Sequence, residues 1–149
     1  MLFRSIPSQN KAQYPLQTVL DSSIRNSPDM GAFVTKSDHS AAIMLWNYHD
    51  KDSLIQAIDV KVQLKNLGIP TATLTHYRID ANHSNSYEYW KKIGSPQQPT
   101  DTQIKAMVKA AALQTFQGQK STKIKLNNKG TDYTVSLPSQ AVSLLYLSW

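Results

Sequence analysis

Ile58, Val60, Val62 and Leu64 alternate with Asp59, Lys61, Gln63 and Lys65. Successive side chains of an extended chain point to opposite faces, so a strand puts all four apolar groups on one side. A helix would scatter them around its circumference. The stretch predicts a half-buried strand over Ile58–Lys65, and it demands a second layer for the apolar face to pack on.

The rest of the chain repeats the theme in weaker forms. Met30 to Thr35 and Thr71 to Ile79 are rich in strand-forming residues, and a short strand is expected at Leu16 to Leu20. Ala41 to Trp46 is almost continuously apolar and runs on to Tyr48. At strand length this predicts a central strand buried on both faces, although a helix fits the pattern alone. Asp50-Lys51-Asp52-Ser53 behind it is a turn signal that favours the strand, and Ser27-Pro28-Asp29 and Asn66-Leu67-Gly68-Ile69-Pro70 are further turns. Lys123 to Leu126, a turn at Asn127–Gly130 and Thr131 to Leu137 read as a hairpin whose second strand shows Tyr133, Val135 and Leu137 on its apolar face. Pro138 ends that strand, and Ala141 to Trp149 is the last one.

Between these strands the period changes. Asn85 and Glu88 fit a capping box that opens a short helix through Lys92, which Gly94-Ser95-Pro96 ends. Thr100 and Gln103 fit another, followed by Ile104, Met107, Val108 and Ala111 at helical spacing; this helix is predicted from Asp101 to about Gln114. The fold class expected is mainly β: an antiparallel two-layer β-sandwich of about eight strands with a two-helix insertion at about 81–115. Residues 1–149 are enough for one core and are read as a single accessory domain.

Charge and composition narrow the function. The net charge is +6, but the lysines are scattered. The densest group is Lys120, Lys123, Lys125 and Lys129, in which Lys123 and Lys125 alternate with Ile124 and Leu126, as on the solvent face of a half-buried strand. No recognition motif accompanies it, so no nucleic-acid partner is expected. The absence of cysteine excludes disulfides and thiolate chemistry. No apolar run reaches membrane-spanning length, and Met1-Leu2-Phe3-Arg4-Ser5 does not start a signal peptide. A soluble chain without a membrane partner is expected; the compartment is open, since a targeting signal could lie upstream.

The side chains do not spell out a catalytic centre. The chain has one glutamate, Glu88, which its place at a helix start explains. Most aspartates fall in predicted loops, at strand ends or, for Asp101, in the first turn of a helix. A pair of carboxylates for glycoside hydrolysis does not stand out. His39, His49, His76 and His83 show no metal-ligand spacing. No glycine-rich phosphate loop and no Gly-x-Ser-x-Gly elbow occurs, though a triad assembled in space stays open. No catalytic residue, metal or cofactor is therefore expected.

One stretch concentrates polar and aromatic groups. His76-Tyr77-Arg78-Ile79-Asp80 is followed by His83-Ser84-Asn85 and Tyr87-Glu88-Tyr89-Trp90. His76, Arg78, Asp80, His83, Asn85, Tyr87 and Trp90 are the candidate interface or sugar-contact residues. Tyr87, Tyr89 and Trp90 would stack on a sugar face or a partner while Arg78 and Asp80 form hydrogen bonds. The competing reading has Trp90 packing the helix onto the sandwich and Arg78–Asp80 fixing the loop, which aromatics on a short helix favour.

These residues, with Trp90-Lys91, Gly94-Ser95-Pro96-Gln97 and Pro99, resemble the C-terminal region of family 39 glycoside hydrolases, the β-xylosidase family. Leu45-Trp46-Asn47-Tyr48-His49-Asp50 is similar to that family's sandwich-strand motif. Leu137-Pro138 with Val142-Ser143-Leu144-Leu145 is similar to its last strand pair. The likeness runs from about Phe3 to Trp149. It implies a (β/α)₈ barrel with two catalytic glutamates, followed by a sandwich, and retaining hydrolysis of β-xylosides. The barrel and both glutamates have no counterpart in this sequence. The chain is thus expected to be the non-catalytic C-terminal sandwich of such a hydrolase. It would brace the barrel or an oligomer interface, and would leave an apolar patch where the barrel is missing. The expected partners are that barrel, a second copy of the chain and a xylo-oligosaccharide. The alternatives are a carbohydrate-binding module with an aromatic platform and, least supported, a standalone enzyme with a scattered site.

Overall fold

The computed structural model describes residues 29–48, 57–118, 120–127 and 130–149. The strand expected at Leu16–Leu20 and the turns at 27–28 and 50–53 lie outside them. Among the described residues there are eight strands and two helices, with the strands in two antiparallel sheets. In chain order they are β1 (Asp29–Lys36), β2 (Ser40–Tyr48), β3 (Ile58–Leu64), β4 (Thr71–Ile79), α1 (Ser86–Lys92), α2 (Asp101–Ala111), β5 (Gln114–Thr115), β6 (Thr122–Lys125), β7 (Thr131–Leu137) and β8 (Ala141–Ser148). A single 3-10 turn, Phe116–Gly118, follows β5.

The larger sheet runs β1-β2-β8-β4, with β5 and β6 sharing the free edge of β4. The smaller sheet is β3 paired with β7. A two-stranded ribbon is marginal by itself. Here its apolar side, with Leu64, Val135 and Leu137, closes on Ile43, Leu45, Leu74, Leu145 and Leu147 of the larger sheet. Leu137 and Leu147 are both fully buried. Two buried polar side chains reach across the layers to adjacent carbonyls of β7. Asn47 Nδ2 donates to Leu137 O at 3.1 Å, and Arg78 Nη2 donates to Ser136 O at 2.9 Å.

Three expectations need correction. The hairpin of Lys123–Leu126 with Thr131–Leu137 does not form. β6 pairs with β4 and β7 with β3, so the chain changes sheets between them. Val60 opposite Val135, Val62 opposite Tyr133 and Ile58 opposite Leu137 give β7 a longer apolar match than β6 could offer. The second helix stops at Ala111 rather than near Gln114, because Gln114 and Thr115 are drawn into pairing with Arg78 and Tyr77. The third concerns Ala41–Tyr48, which is central but buried on one face only. Ala41, Ile43, Leu45 and Asn47 face the core, while Met44 and Tyr48 are exposed.

That exposed side belongs to an apolar grid across four strands. Cross-strand partners share a face, so the pairing gives the rows directly. One row is Gly31-Trp46-Val142-Ile79, and the next is Phe33-Met44-Leu144-Tyr77. A third, Thr35-Ala42-Tyr146-Thr75, adds one more aromatic ring. Phe33, Met44, Ile79 and Tyr146 are all exposed. The Trp46 ring lies over Gly31 so closely that a Cβ there would overlap it, which is why the first row has a glycine at its edge. No helix among the described residues is long and apolar enough to cross a membrane.

Candidate functional site

β4 decides where the polar stretch goes. Its strand-forming Thr71, Thr73, Thr75, Tyr77 and Ile79 point outward. Leu74 and Ala72 are buried, and the same side of the strand carries His76 and Arg78 into the space between the sheets. Arg78 is 1% exposed and Asp80 6%. An arginine at such depth must find partners for its charge.

The partners come from three places. Arg78 donates to Ser136 O of β7, stands 3.6 Å from the Asp80 carboxylate and lies 4.4 Å over the Phe116 ring. Its Nε is buried without a hydrogen-bond partner. Burial pushes the guanidinium below its usual value, with Asp80 and then Tyr133 opposing that shift. It remains a cation at neutral pH because arginine starts so high. The other oxygen of Asp80 accepts three hydrogen bonds, from Asn82 N, His83 N and His83 Nδ1, at 2.8 to 2.9 Å. Asn85 Nδ2 donates to Asp80 O, and Asn85 Oδ1 accepts from Glu88 N to cap α1. The spacing Arg78-x-Asp80-x-x-His83-x-Asn85-x-x-Glu88 is therefore a chain of contacts from the core to the helix start.

His76 shares a 3.0 Å hydrogen bond between Nε2 and Ser143 Oγ. Its ring packs against Phe116 and meets Tyr133 edge-on. Nδ1 is buried without a partner. A neutral ring with its proton on Nε2 leaves only an acceptor unfilled, the cheaper arrangement. Burial, and then the charges of Arg78 and His83, lower its pKa to about 4. The folded value lies below the unfolded one, so the stabilisation is complete above pH 6.5 and is lost as pH falls towards 4. Roughly 2 to 3 kcal/mol should disappear across that window. Urea titrations at pH 7 and pH 4.5 should show the loss in the native chain, and a flatter profile in His76→Phe.

Tyr87 and Trp90 stand apart from this cluster. They stack on each other at 5.7 Å, with Lys91 over the Tyr87 ring. Tyr87 is exposed. Trp90 is half-buried and its Nε1 donates to Pro96 O, which locks the turn after α1. The structure thus joins His76, Arg78, Asp80, His83 and Asn85 and leaves Tyr87 and Trp90 on the helix. The sequence reading missed Phe116, which touches His76, Arg78 and His83. Its signal is faint: one aromatic residue among the polar residues 114–121.

Among the described residues no group of three or more His, Asp or Glu is placed to hold a metal ion. A cavity of about 370 Å³ opens between β1, β2 and β3, walled by Ala32, Ile43, Leu45, Val62, Leu64 and Leu147. It is an apolar gap in the sandwich, rimmed by lysines, and offers no converging acids or nucleophile.

No family model matches the sequence, and no curated protein does. Solved structures share the fold. A monomeric β-xylosidase from Caulobacter crescentus CB15 aligns with a TM-score of 0.66 at 16% identity, over 78% of this chain and 26% of its own. The GH39 enzyme from Xanthomonas axonopodis pv. citri gives 0.65 at 11% identity, over 78% and 25%. A bacterial orthologue of human α-L-iduronidase gives 0.62 at 14%, over 80% and 22%. The chain spans about a quarter of the length of these structures.

Proposed function

We propose that this chain is the non-catalytic accessory sandwich of a family 39-like glycoside hydrolase, bracing a catalytic (β/α)₈ barrel. The observation that carries the reading is the shared fold: four-fifths of this chain superposes on about a quarter of several glycosidases. The apolar grid of Phe33, Met44, Trp46, Leu144 and Tyr146 supports it as a surface for a large partner. In the whole protein the reaction would be retaining hydrolysis of β-xylosides. The neighbours include an iduronidase orthologue as well as β-xylosidases, and the sequence segments from His76 to Pro99 favour the xylosidase.

The retaining mechanism needs a nucleophile and an acid/base about 5 Å apart. Glu88 makes a hydrogen-bonded ion pair with Lys91, and Asp80 is spent on Arg78 and the 81–85 loop. Neither is half of a catalytic pair. The purified 149-residue chain is expected to release no nitrophenol from 4-nitrophenyl β-D-xylopyranoside above the buffer rate. Enzyme-concentration-dependent release would overturn the accessory role. The second reading, a carbohydrate-binding module, is favoured by one observation: Tyr87 is exposed on α1 beside Trp90. Trp90 is tied back to Pro96, however, and the Tyr87 ring already carries Trp90 stacked on it and Lys91 over it, so the two rings do not form a platform side by side.

A further inference from the structure

Met30, Ala32 and Val34 of β1 lie opposite Asn47, Leu45 and Ile43 of β2, so all six turn to the inside of the sandwich. The three on β2 are buried, yet Met30 is 37% exposed and Val34 58%. An inward-facing valine stays in water here because the two strands of the smaller sheet face four long ones, and β1 is left bare. The cavity of about 370 Å³ lies on that bare side.

The walls of the cavity give its shape. β1 lines it with alternate residues, Ala32, Val34 and Lys36, whereas β3 lines it with every residue from Val60 to Lys65. Alternate residues belong to one face of a strand, and consecutive residues meet only along its edge. The cavity therefore lies over the face of β1 and beside the edge of β3, the place of a third strand in the smaller sheet. Among the described residues β3 pairs with β7 alone, so the backbone groups along its other edge stand ready for a partner.

We infer that Leu16-Gln17-Thr18-Val19-Leu20 of this same chain is that third strand, paired antiparallel with β3. Such a strand completes the sandwich from within and is independent of any role as a brace. Connection favours it. Asp29 opens β1 opposite Tyr48, while Asn47 Nδ2 reaches Leu137 O, whose residue lies opposite Ile58. The starts of β1 and β3 thus share one end of the sandwich. A strand in the cavity that leads into β1 must finish at that end, so it runs against β3. Residues 21–28 make the crossing. Extended, they reach at most about 29 Å, ample for layers about 10 Å apart.

Composition favours it as well. Leu16, Thr18 and Leu20 share one face of an extended chain, which gives two leucines to cover Val34 and fill an apolar space. Gln17 falls on the other face, the solvent side that Lys61 and Gln63 occupy on β3. Pro15 comes just before the strand, where a missing N–H costs no ladder bond.

The full chain has no cysteine, so Gln17→Cys accepts a single nitroxide label at a solvent-facing position. In the 15N-labelled protein this label should broaden the amide signals of Val60 to Leu64 and leave those of Lys105 and Lys109 on α2 sharp. The broadening should persist after the labelled chain is refolded with an excess of unlabelled native chain, because it arises within one molecule. Its loss on mixing would give the cavity to a second copy, and its absence throughout would put residues 16–20 elsewhere. Either result overturns the assignment. Hydrogen exchange supplies a second readout. The β3 amides that do not bond to β7 should exchange at least about tenfold faster in Leu16→Asp/Leu20→Asp than in the native chain. Equal rates would overturn the pairing, and should the double variant fail to fold, the spin-label result decides alone.

Discussion

Arg78→Ala should cost about 3 to 5 kcal/mol of folding free energy, the typical penalty for removing one partner of a buried charge pair. Three losses combine. Ser136 O loses a buried donor, Asp80 keeps its charge without the guanidinium, and the Phe116 ring loses the flat group it packs on. Small domains hold about 5–15 kcal/mol in total, so much of the reserve would go. Arg78→Lys should recover little, because one ammonium cannot reach Ser136 O and Asp80 while lying flat on Phe116. Adding Asp80→Asn to Arg78→Ala should cost less than the two single changes together, since the stranded carboxylate is then gone. Urea denaturation at constant slope reads all of these. A shift below about 1 kcal/mol for Arg78→Ala would mean the cluster does not hold the sheets together.

The same cluster shows what the sequence could and could not disclose. β3 was plain because its faces differ: Val60 and Val62 against Asp59 and Lys61. β4 was visible as a strand, but its orientation was not. Threonine, tyrosine and isoleucine on one side outweigh Ala72, Leu74, His76 and Arg78 on the other by hydropathy, yet the second set is inside. A buried arginine is payable only through contacts from Ser136 and Phe116, which lie 58 and 38 positions away, so no local pattern reports it. The helix starts were legible because their partners are three residues apart: Thr100–Gln103 forms the full capping box, while Asn85 caps α1 through Glu88 N alone, the Glu88 carboxylate pairing with Lys91 instead. Pairing of β6 and β7 was not, because proximity in the chain favours a hairpin that the longer apolar match to β3 overrides.

Leu147 and its neighbour Tyr146 separate fold from function on adjacent residues. Leu147 is fully buried between the layers, opposite Ala41 and Leu74, whereas Tyr146 is 40% exposed on the outer grid. Leu147→Ala should therefore cost about 2 to 5 kcal/mol by calorimetry or urea, the lost transfer energy plus the cavity. Tyr146→Ala should stay within about 1 kcal/mol in the isolated chain, since an exposed ring gives up little when removed. A sheet face that carries Phe33, Met44 and Tyr146 without drawing stability from them is costly to keep soluble. Its residues make physical sense if another surface takes them out of water. Phe33→Lys and Met44→Lys should then leave the isolated chain folded and more soluble. Fused to a barrel that docks on this face, the same lysines should lower the melting temperature of the pair. Equal melting temperatures with and without the lysines would place the brace elsewhere. The inside of this sheet would still account for the fold, and the outside would need another partner.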